Sequence, residues 1–216
     1  MTVQYPSVDH EPVFEQAWND PSNTRFEIPP VDVNRILAER YDLERPLRLT
    51  RSQLWEMEAR KARRPDLYIP YVVEQGSAAV WADSPESAQV ERFVRKSRQR
   101  LWLQPDRYEL ILEQTRVDHA RQRVTFIGAS EYPGADGTVL KAGDSQPIFH
   151  VIHAVAGRQE QPLNLWSVVF LTPEQDSRLL APFVRMAHDG WLPGYVEIYI
   201  RDDLKVGISR RPGVGG

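Results

Sequence analysis

The sequence has no cysteine among its 216 residues, which excludes disulfide bonds, thiolate metal sites and a cysteine nucleophile. It has no excess of positive charge either, since the formal net charge is -3, so no overall field attracts nucleic acid or acidic lipid. No apolar run approaches the roughly 20 residues that a membrane-spanning helix needs. The first residues also lack the basic-then-apolar pattern of a signal peptide. We therefore expect a cytoplasmic protein with no nucleic-acid or membrane partner.

Several motifs that carry enzyme chemistry are also missing. The sequence contains no glycine-rich phosphate loop, no G-x-S-x-G elbow and no H-E-x-x-H helix. We predict no cofactor and no metal site. The composition is that of a globular protein, with 41% hydrophobic and 26% charged residues, and the length suits one domain with an extension.

The N-terminal segment is rich in proline, which favours irregular structure. We predict that residues 1–45 form an extension that packs on the domain through Phe14, Trp18 and Phe26, with one short helix after Val33. The domain itself is predicted to span residues 46–207. Residues 208–216 are predicted to be a flexible tail.

The stretch from Leu49 to Val73 predicts a capped helix followed by a break. Thr50 is a good N-cap residue, and Pro65 ends the helix because the residue before a proline is disfavoured in helical geometry. The next residues predict a second short turn or helix, and "YVVEQGSAAVW" predicts a strand.

Strand patterns then follow one another without long helices between them. They lie in "QVERFVRKSRQ", "RYELILEQTRV", "RQRVTFIGAS", "IFHVIHAVA" and "LNLWSVVFLT". This order favours an antiparallel meander over βαβ units. After Thr172, read as a helix cap, a helical stripe runs to Ala187, with a kink at Pro182 and a break at "DGWLPG". Residues 195–206 fit a strand or a helix equally well.

Two short helices, a curved antiparallel sheet and a late helix form the order of the helix-grip fold, an α+β class. The sequence resembles the SRPBCC superfamily of START, Bet v 1-like and polyketide-cyclase proteins. Within it, the resemblance is to a branch related to a fungal acetylaranotin-pathway protein. It covers roughly residues 46–171, and the matching residues are Leu49, Thr50, Gln53, Leu54, Trp55, Lys61, Ala62, Pro65, Tyr68 and Pro70.

The resemblance implies an apolar cavity between the sheet and the C-terminal helix, which binds a hydrophobic or aromatic small molecule. The residues alone fit a solid core between the sheet and this helix as well as they fit an open cavity. The candidate ligand-binding residues are Trp166, Phe126, Leu110, Leu112, Phe170, Phe183 and Trp55.

Three side chains are candidates for acid–base chemistry. His150 and His153 lie three apart on one predicted strand and point to opposite faces, so they make a poor metal pair. One of them is expected to face the cavity, and the larger neighbours of His153 slightly favour that residue. Tyr108 shares a face with Leu110 and Leu112, which predicts that its hydroxyl enters the cavity, while Glu109 and Glu113 are predicted to be solvated.

The sequence is compatible with three functions. The first is a cyclase- or dehydratase-like enzyme of secondary metabolism acting on a polyketide-like or aromatic intermediate. The second is a non-catalytic carrier or sensor with the same cavity. The third is an accessory partner of a larger biosynthetic enzyme, and a homodimer is also considered. Ionisable residues facing the cavity favour the first, a purely apolar cavity favours the second, and an exposed apolar patch near Phe14, Trp18 and Phe26 favours the third.

Overall fold

A computed structural model describes residues 8–212 of the chain. Its centre is a seven-stranded sheet in the order β1-β10-β9-β6-β5-β4-β3, in which every neighbouring pair is antiparallel. These strands are β1 (Thr24–Asp32), β3 (Ala79–Ser87), β4 (Val90–Arg100), β5 (Tyr108–Asp118), β6 (Arg123–Ala129), β9 (Phe149–Arg158) and β10 (Gln161–Phe170). Short strands form two further pairs, β2 (Tyr41–Leu43) with β11 (Ile208–Arg210) and β7 (Glu131–Pro133) with β8 (Val139–Lys141). The helices are α1 (His10–Asn19), α2 (Val33–Arg40), α3 (Arg51–Arg63), α4 (Pro65–Tyr68), α5 (Ala181–Asp189) and α6 (Gly194–Ile198).

The predicted meander is confirmed for the five strands that the sequence pattern marked most clearly. The segment from Tyr71 is different, because it is mostly turn and its strand begins only at Ala79. The connection between β6 and β9 contains the β7–β8 hairpin, whose Tyr132 packs with Val94 and Leu112 on the outer face of the sheet.

Strand β1 lies in a segment that its prolines predicted to be irregular. Pro29 and Pro30 lie where the pairing with β10 shifts register, between Ile28 and Val31. A proline at a bulge in an edge strand removes no ladder hydrogen bond, so the strand tolerates both. The prediction of irregular structure was therefore wrong for Thr24–Asp32. The predicted boundary at residue 46 would also cut β1 and α2 away from the sheet and core that they share.

Helix α1 covers part of the outer, convex face of the sheet. Its Phe14 and Ala17 pack on Ile127, Ile152 and Val169. Both faces of the sheet are thus covered by apolar side chains in this region, which is the reason that face assignments from strand periodicity alone are ambiguous.

Helix α3 begins with the predicted cap. The Thr50 hydroxyl accepts a hydrogen bond from the Gln53 amide at 3.2 Å, and the Gln53 side chain accepts one from the Thr50 amide at 2.9 Å. This reciprocal pair satisfies two amides that the helix leaves without partners. The helix ends at Arg63, before Pro65, and it lies across the concave face of the sheet in contact with β5, β6, β9 and β10.

The predicted break in the C-terminal helix is confirmed, but the predicted kink was wrong, because Pro182 lies in the first turn of α5. Helix α5 ends at Gly190, which takes a left-handed φ of 64° that favours glycine. Helix α6 then continues into a π-helical turn at Tyr199–Asp203, so this ambiguous segment is helical rather than a strand.

Two further C-terminal predictions were wrong. Thr172 does not cap a helix, because its hydroxyl contacts the Thr24 hydroxyl and the Ser22 carbonyl, and helical turns begin only at Ser177. The predicted flexible tail contains β11, which pairs with β2, and residues 213–216 lie outside the described residues.

Within residues 8–212 no helix combines the length and the apolar character needed to cross a membrane. The curved antiparallel sheet, the helices between β1 and β3 and the helices after β10 form the helix-grip architecture that the sequence predicted.

Candidate functional site

A cavity of about 260 Å³ lies between the concave face of the sheet, helix α3 and the C-terminal helices. Its walls are mainly apolar and include several aromatic side chains. Trp166 on β10 packs against Phe183 on α5 with ring centroids 4.8 Å apart, and Trp102 lies 4.6 Å from Phe183 on the other side. Phe126 and Phe149 complete this aromatic surface from the sheet. Such walls suit a flat apolar ligand.

Helix α3 places a buried pair of charged side chains beside the cavity. Glu58 and Lys61 lie one helical turn apart on the buried face, with side-chain exposures of 0% and 5%. The Nζ atom of Lys61 is 2.6 Å from Oε2 of Glu58, so the two form a buried ion pair. Lys61 lines the cavity, and its ammonium also lies 3.5 Å above the ring centre of Tyr195.

His153 on β9 completes this polar group. The Nζ atom of Lys61 donates to Nδ1 of His153 at 3.0 Å. An ammonium can only donate, so Nδ1 must be the accepting nitrogen, and the neutral ring then carries its proton on Nε2. Nε2 makes no hydrogen bond with residues 8–212, and His153 lines the cavity. The Nε2–H group is therefore available to a ligand oxygen.

A second layer of hydrogen bonds fixes the carboxylate of Glu58. The side-chain amide of Asn164 donates to Oε1 of Glu58 at 2.8 Å, and the Tyr195 hydroxyl donates to Oδ1 of Asn164 at 2.7 Å. These side chains come from α3, β10 and α6, so the cluster ties the C-terminal helices to the sheet. Oε1 of Glu58, the side-chain amide of Asn164 and the Tyr195 hydroxyl each have a hydrogen-bond partner, which is the condition for such a network to stabilise a fold.

A separate ion pair lies on the sheet side of the cavity. Arg95 on β4 donates from Nε and Nη2 to Oε2 of Glu113 on β5, at 2.9 and 2.6 Å, and from Nη1 to the Ala62 carbonyl at 2.8 Å. Its guanidinium also lies 4.3 Å from the ring centre of Phe126. Each of its three side-chain nitrogens donates a hydrogen bond, so we regard Arg95 as a fixed positive charge behind His153.

Burial shifts the pKa values of the cluster. Burial lowers the pKa of Lys61 to about 8, and the carboxylate of Glu58 opposes that shift. Burial, with the charges of Lys61 and Arg95, holds the pKa of His153 well below its ordinary 6.5. Burial and the charge of Glu58 raise the pKa of Tyr195 well above its ordinary value. At neutral pH the imidazole is neutral, and the lysine is the group closest to titration.

The structure brings four of the predicted site residues to the cavity, namely His153, Phe126, Trp166 and Phe183. His153 was the favoured histidine of its pair. His150 does not line the cavity. Successive residues of β9 face opposite sides of the sheet, so His150 and His153, three residues apart, point to opposite faces. Nδ1 of His150 accepts a hydrogen bond from the Gly128 amide at 3.2 Å. It is buried at 4% exposure on the opposite face of the sheet.

The prediction for strand β5 placed the wrong face inward. Tyr108, Leu110 and Leu112 do not line the cavity, and the two leucines pack in the outer cluster under the β7–β8 hairpin. Glu113, expected to be solvated, is 2% exposed and lines the cavity. The apolar side chains marked the face that the hairpin covers, while the inward face carries the buried ion pair.

Two further predicted ligand contacts belong to the solid core. Phe170 is fully buried between Phe149 and Phe183, with centroid distances of 5.6 and 6.1 Å. Trp55 donates from Nε1 to Nδ1 of His119 at 3.2 Å, away from the cavity. Neither contributes to the lining of the cavity.

Sequence reasoning missed Glu58, Lys61, Asn164 and Tyr195 as members of one cluster. A signal for the first two was present. Both fall on the apolar stripe of helix α3 with Leu54 and Ala62, where a charged side chain needs a buried partner. No sequence pattern identifies Asn164 and Tyr195, because the contact between them depends on how β10 and α6 pack.

Within the described part of the chain, no three histidine, aspartate or glutamate side chains come close enough to hold a metal ion. No protein-family model and no curated protein matches the sequence. Solved structures do match over most of the chain. The Zhui aromatase/cyclase from Streptomyces sp. R1128 is 11% identical with a TM-score of 0.49, covering 83% of this chain and 95% of its own. Ara h 8.0201 is 10% identical with a TM-score of 0.46, covering 82% and 97%.

Norcoclaurine synthase from Thalictrum flavum is 8% identical, with a TM-score of 0.45, over 94% of this chain and 96% of its own. Likeness at this level carries no argument about activity. The strand order, the helices that flank it and the cavity beneath them are the features that assign this chain to the helix-grip fold.

Proposed function

We propose that this protein is a cofactor-independent acid–base enzyme that binds an aromatic or polyketide-like carbonyl compound in the cavity and promotes its cyclisation or dehydration. The observation that carries the proposal is the buried Glu58–Lys61–His153 group, of which Lys61 and His153 line a mainly apolar cavity. The place of that reaction in secondary metabolism remains an expectation from the sequence resemblance.

The size of the cavity limits the substrate. A cavity of about 150 Å³ can hold benzene, so 260 Å³ suits a ligand of one or two rings or a short folded chain. Trp166 and Phe183 offer ring faces for stacking, which favours a flat or flattened intermediate.

The polar group supplies the chemistry of proton transfer next to a carbonyl. Neutral Lys61, whose amine lines the cavity, can take the α-proton of a carbonyl compound, and the Nε2–H of His153 can donate a hydrogen bond to the carbonyl oxygen and stabilise the resulting enolate. Lys61 contacts the other nitrogen of the same ring and can return a proton to it. Glu58 balances the charge of Lys61 in both steps.

The carrier reading is the second candidate, since an aromatic cavity also suits a bound but unreacted ligand. It is less favoured here because burying a charged pair beside an apolar ligand costs stability, whereas an apolar wall would hold such a ligand without that cost. The accessory-partner reading is weaker still, because Phe14 is buried, Phe26 stacks on Phe183, and Trp18 stacks on Phe14.

The experiment measures proton exchange, which is the elementary step of the proposed reaction. The probe is 1-phenylpropan-2-one in D₂O, and proton NMR follows loss of its benzylic CH₂ signal. We expect the protein to accelerate this exchange, and we expect His153→Gln to lose about a hundredfold or more of the acceleration. His150→Gln is the matched control, because His150 lies on the same strand but on the opposite face.

Three outcomes are distinguished by adding a binding measurement, quenching of tryptophan fluorescence by the same ketone. Binding with exchange that depends on His153 supports the enzyme. Binding without exchange supports the carrier. Absence of both would contradict a ligand site in this cavity.

A further inference from the structure

The amine of Lys61 differs in its surroundings from that of every other lysine in the chain. The other lysines are Lys96, Lys141 and Lys205, and none of them lines the cavity. Lys61 alone places its Nζ atom at a wall built from Phe126, Trp166 and Tyr195.

We propose that the Lys61 amine forms a covalent imine with an aldehyde or ketone bound in the cavity. This inference rests on the proposed function, because it needs the same cavity to accept a carbonyl compound. It goes further in assigning a nucleophile and in limiting the substrate to a compound whose carbonyl carbon reaches Nζ.

The geometry provides a partner for each proton that the reaction moves. Neutral Lys61 adds its nitrogen lone pair to the carbonyl carbon, and the oxygen takes the Nε2 proton of His153. The nitrogen gives its extra proton to Nδ1 of the same ring, with which it is in contact, so that a neutral carbinolamine and a neutral imidazole result. The hydroxyl then takes a proton from the solvent and leaves as water. One carbonyl, one amine and one proton thus yield one protonated imine and one water.

Glu58 remains satisfied when the amine is consumed. Oε1 of Glu58 accepts from Asn164 whatever the state of the lysine, and a protonated imine on Lys61 keeps a positive charge near Oε2. The carboxylate is thus suited to a cationic iminium as well as to the ammonium.

The titration of Lys61 agrees with this role. Burial lowers its pKa to about 8, against about 10.4 for a free lysine. At neutral pH its neutral fraction exceeds that of an exposed lysine by more than about a hundredfold. A desolvated lysine in an apolar pocket is a recognised way to obtain an amine nucleophile.

The test traps the imine by reduction. The full-length protein is incubated at pH 7 with benzaldehyde and sodium cyanoborohydride, and intact mass spectrometry counts the benzyl groups added. Peptide mapping of the wild-type protein then locates them, and this readout needs no variant to fold. We expect one fast adduct, on Lys61, and a trapping rate that rises with pH and levels off above pH 8.

Two variants sharpen the result. Lys61→Arg keeps the positive charge beside Glu58 but cannot form an imine, so the fast adduct disappears. Lys205→Arg removes an exposed lysine and leaves the fast adduct in place. Circular dichroism checks that both variants fold.

Equal labelling of the exposed lysines and the N-terminal amine, with Lys61 unmodified, would overturn the imine. If fluorescence quenching and His153-dependent exchange persist in that case, the proposed acid–base function stands without a covalent step. If benzaldehyde neither quenches tryptophan fluorescence nor labels Lys61, and the ketone gives no exchange, both proposals fail together.

Discussion

Lys61 on helix α3 and His153 on strand β9 are 92 residues apart in sequence, yet Nζ of the lysine donates to Nδ1 of the histidine at 3.0 Å. This one contact fixes the tautomer of the imidazole and aims its free Nε2–H group at the cavity. It also joins helix α3 to strand β9 of the sheet, so the same two side chains stabilise the fold and form part of the site.

Breaking the buried ion pair on one side is expected to be costly. Lys61→Met leaves the Glu58 carboxylate buried without its counter-ion, and we expect a loss of about 3–5 kcal/mol in the free energy of unfolding, measured in urea. The double variant Lys61→Met with Glu58→Leu is expected to recover part of that loss. Arg35→Ala is the control, since its exposed pair with Glu39 contributes only about 0.3–0.5 kcal/mol. A double variant less stable than the single one would contradict this account of the pair.

Asn164 is expected to stabilise the fold through two partners at once. Asn164→Ala leaves Oε1 of Glu58 and the Tyr195 hydroxyl without their hydrogen bonds, and each buried group left unpaired costs about 1–3 kcal/mol. Urea denaturation measures the effect. Asn19→Ala, at an exposed position on α1, is the matched control and is expected to change stability little. A loss no larger than that of the control would show that Asn164 is dispensable.

The parts of the fold that depend on residues close together in the chain could be predicted from the sequence. The Thr50–Gln53 cap, the stop before Pro65 and the break at Gly190 each depend on residues close in the chain, and all three were predictable. Strand β1 was not, because proline-rich segments are allowed in sheets only at an edge, and edge position is a property of the whole sheet.

The site was less predictable for a similar reason. Period-two alternation gives two faces but does not say which face is inward when both are apolar. On β9 the larger side chains marked the inner face correctly, and on β5 Leu110 and Leu112 marked the outer face that the hairpin covers. Glu58 and Lys61 could have been noticed as charges on an apolar helical stripe, but their partners on β9, β10 and α6 come together only in the folded chain.

Helix α1 is expected to contribute to stability through Phe14. Phe14→Ala removes a buried ring that packs on Ile127, Ile152 and Val169, and we expect a loss of about 3–5 kcal/mol. The melting temperature measures this loss. Glu15→Ala, at an exposed position of the same helix, should leave it nearly unchanged. If both variants melt with the wild type, helix α1 is not part of the cooperative unit.

Acid is expected to destabilise the protein through buried neutral histidines. Burial, with nearby Arg92 and Arg116, lowers the pKa of His10 to about 4, and the pKa of His153 is also well below 6.5. Below pH 6.5 the unfolded chain therefore binds more protons than the folded one, and stability falls as the pH drops towards 4. For His10 alone the loss is on the order of 3 kcal/mol.

Urea titrations between pH 7 and pH 4 measure this dependence, and His10→Gln is expected to reduce its slope. His188→Gln is the control, because that side chain is 73% exposed. An identical slope in the His10 variant and the wild type would contradict the assignment to His10.

The central claim is that His153 presents a neutral Nε2–H group to a ligand in the cavity, and nitrogen-15 NMR of labelled histidine side chains tests it most directly. At pH 7 the account predicts a neutral His153 with its proton on Nε2 and an unprotonated Nδ1 that accepts from Lys61. Titration with 1-phenylpropan-2-one is expected to shift the Nε2 signal of His153 and to leave His150, on the opposite face, unchanged. A charged imidazole, a proton on Nδ1, or an Nε2 signal that the ketone does not move would contradict the account.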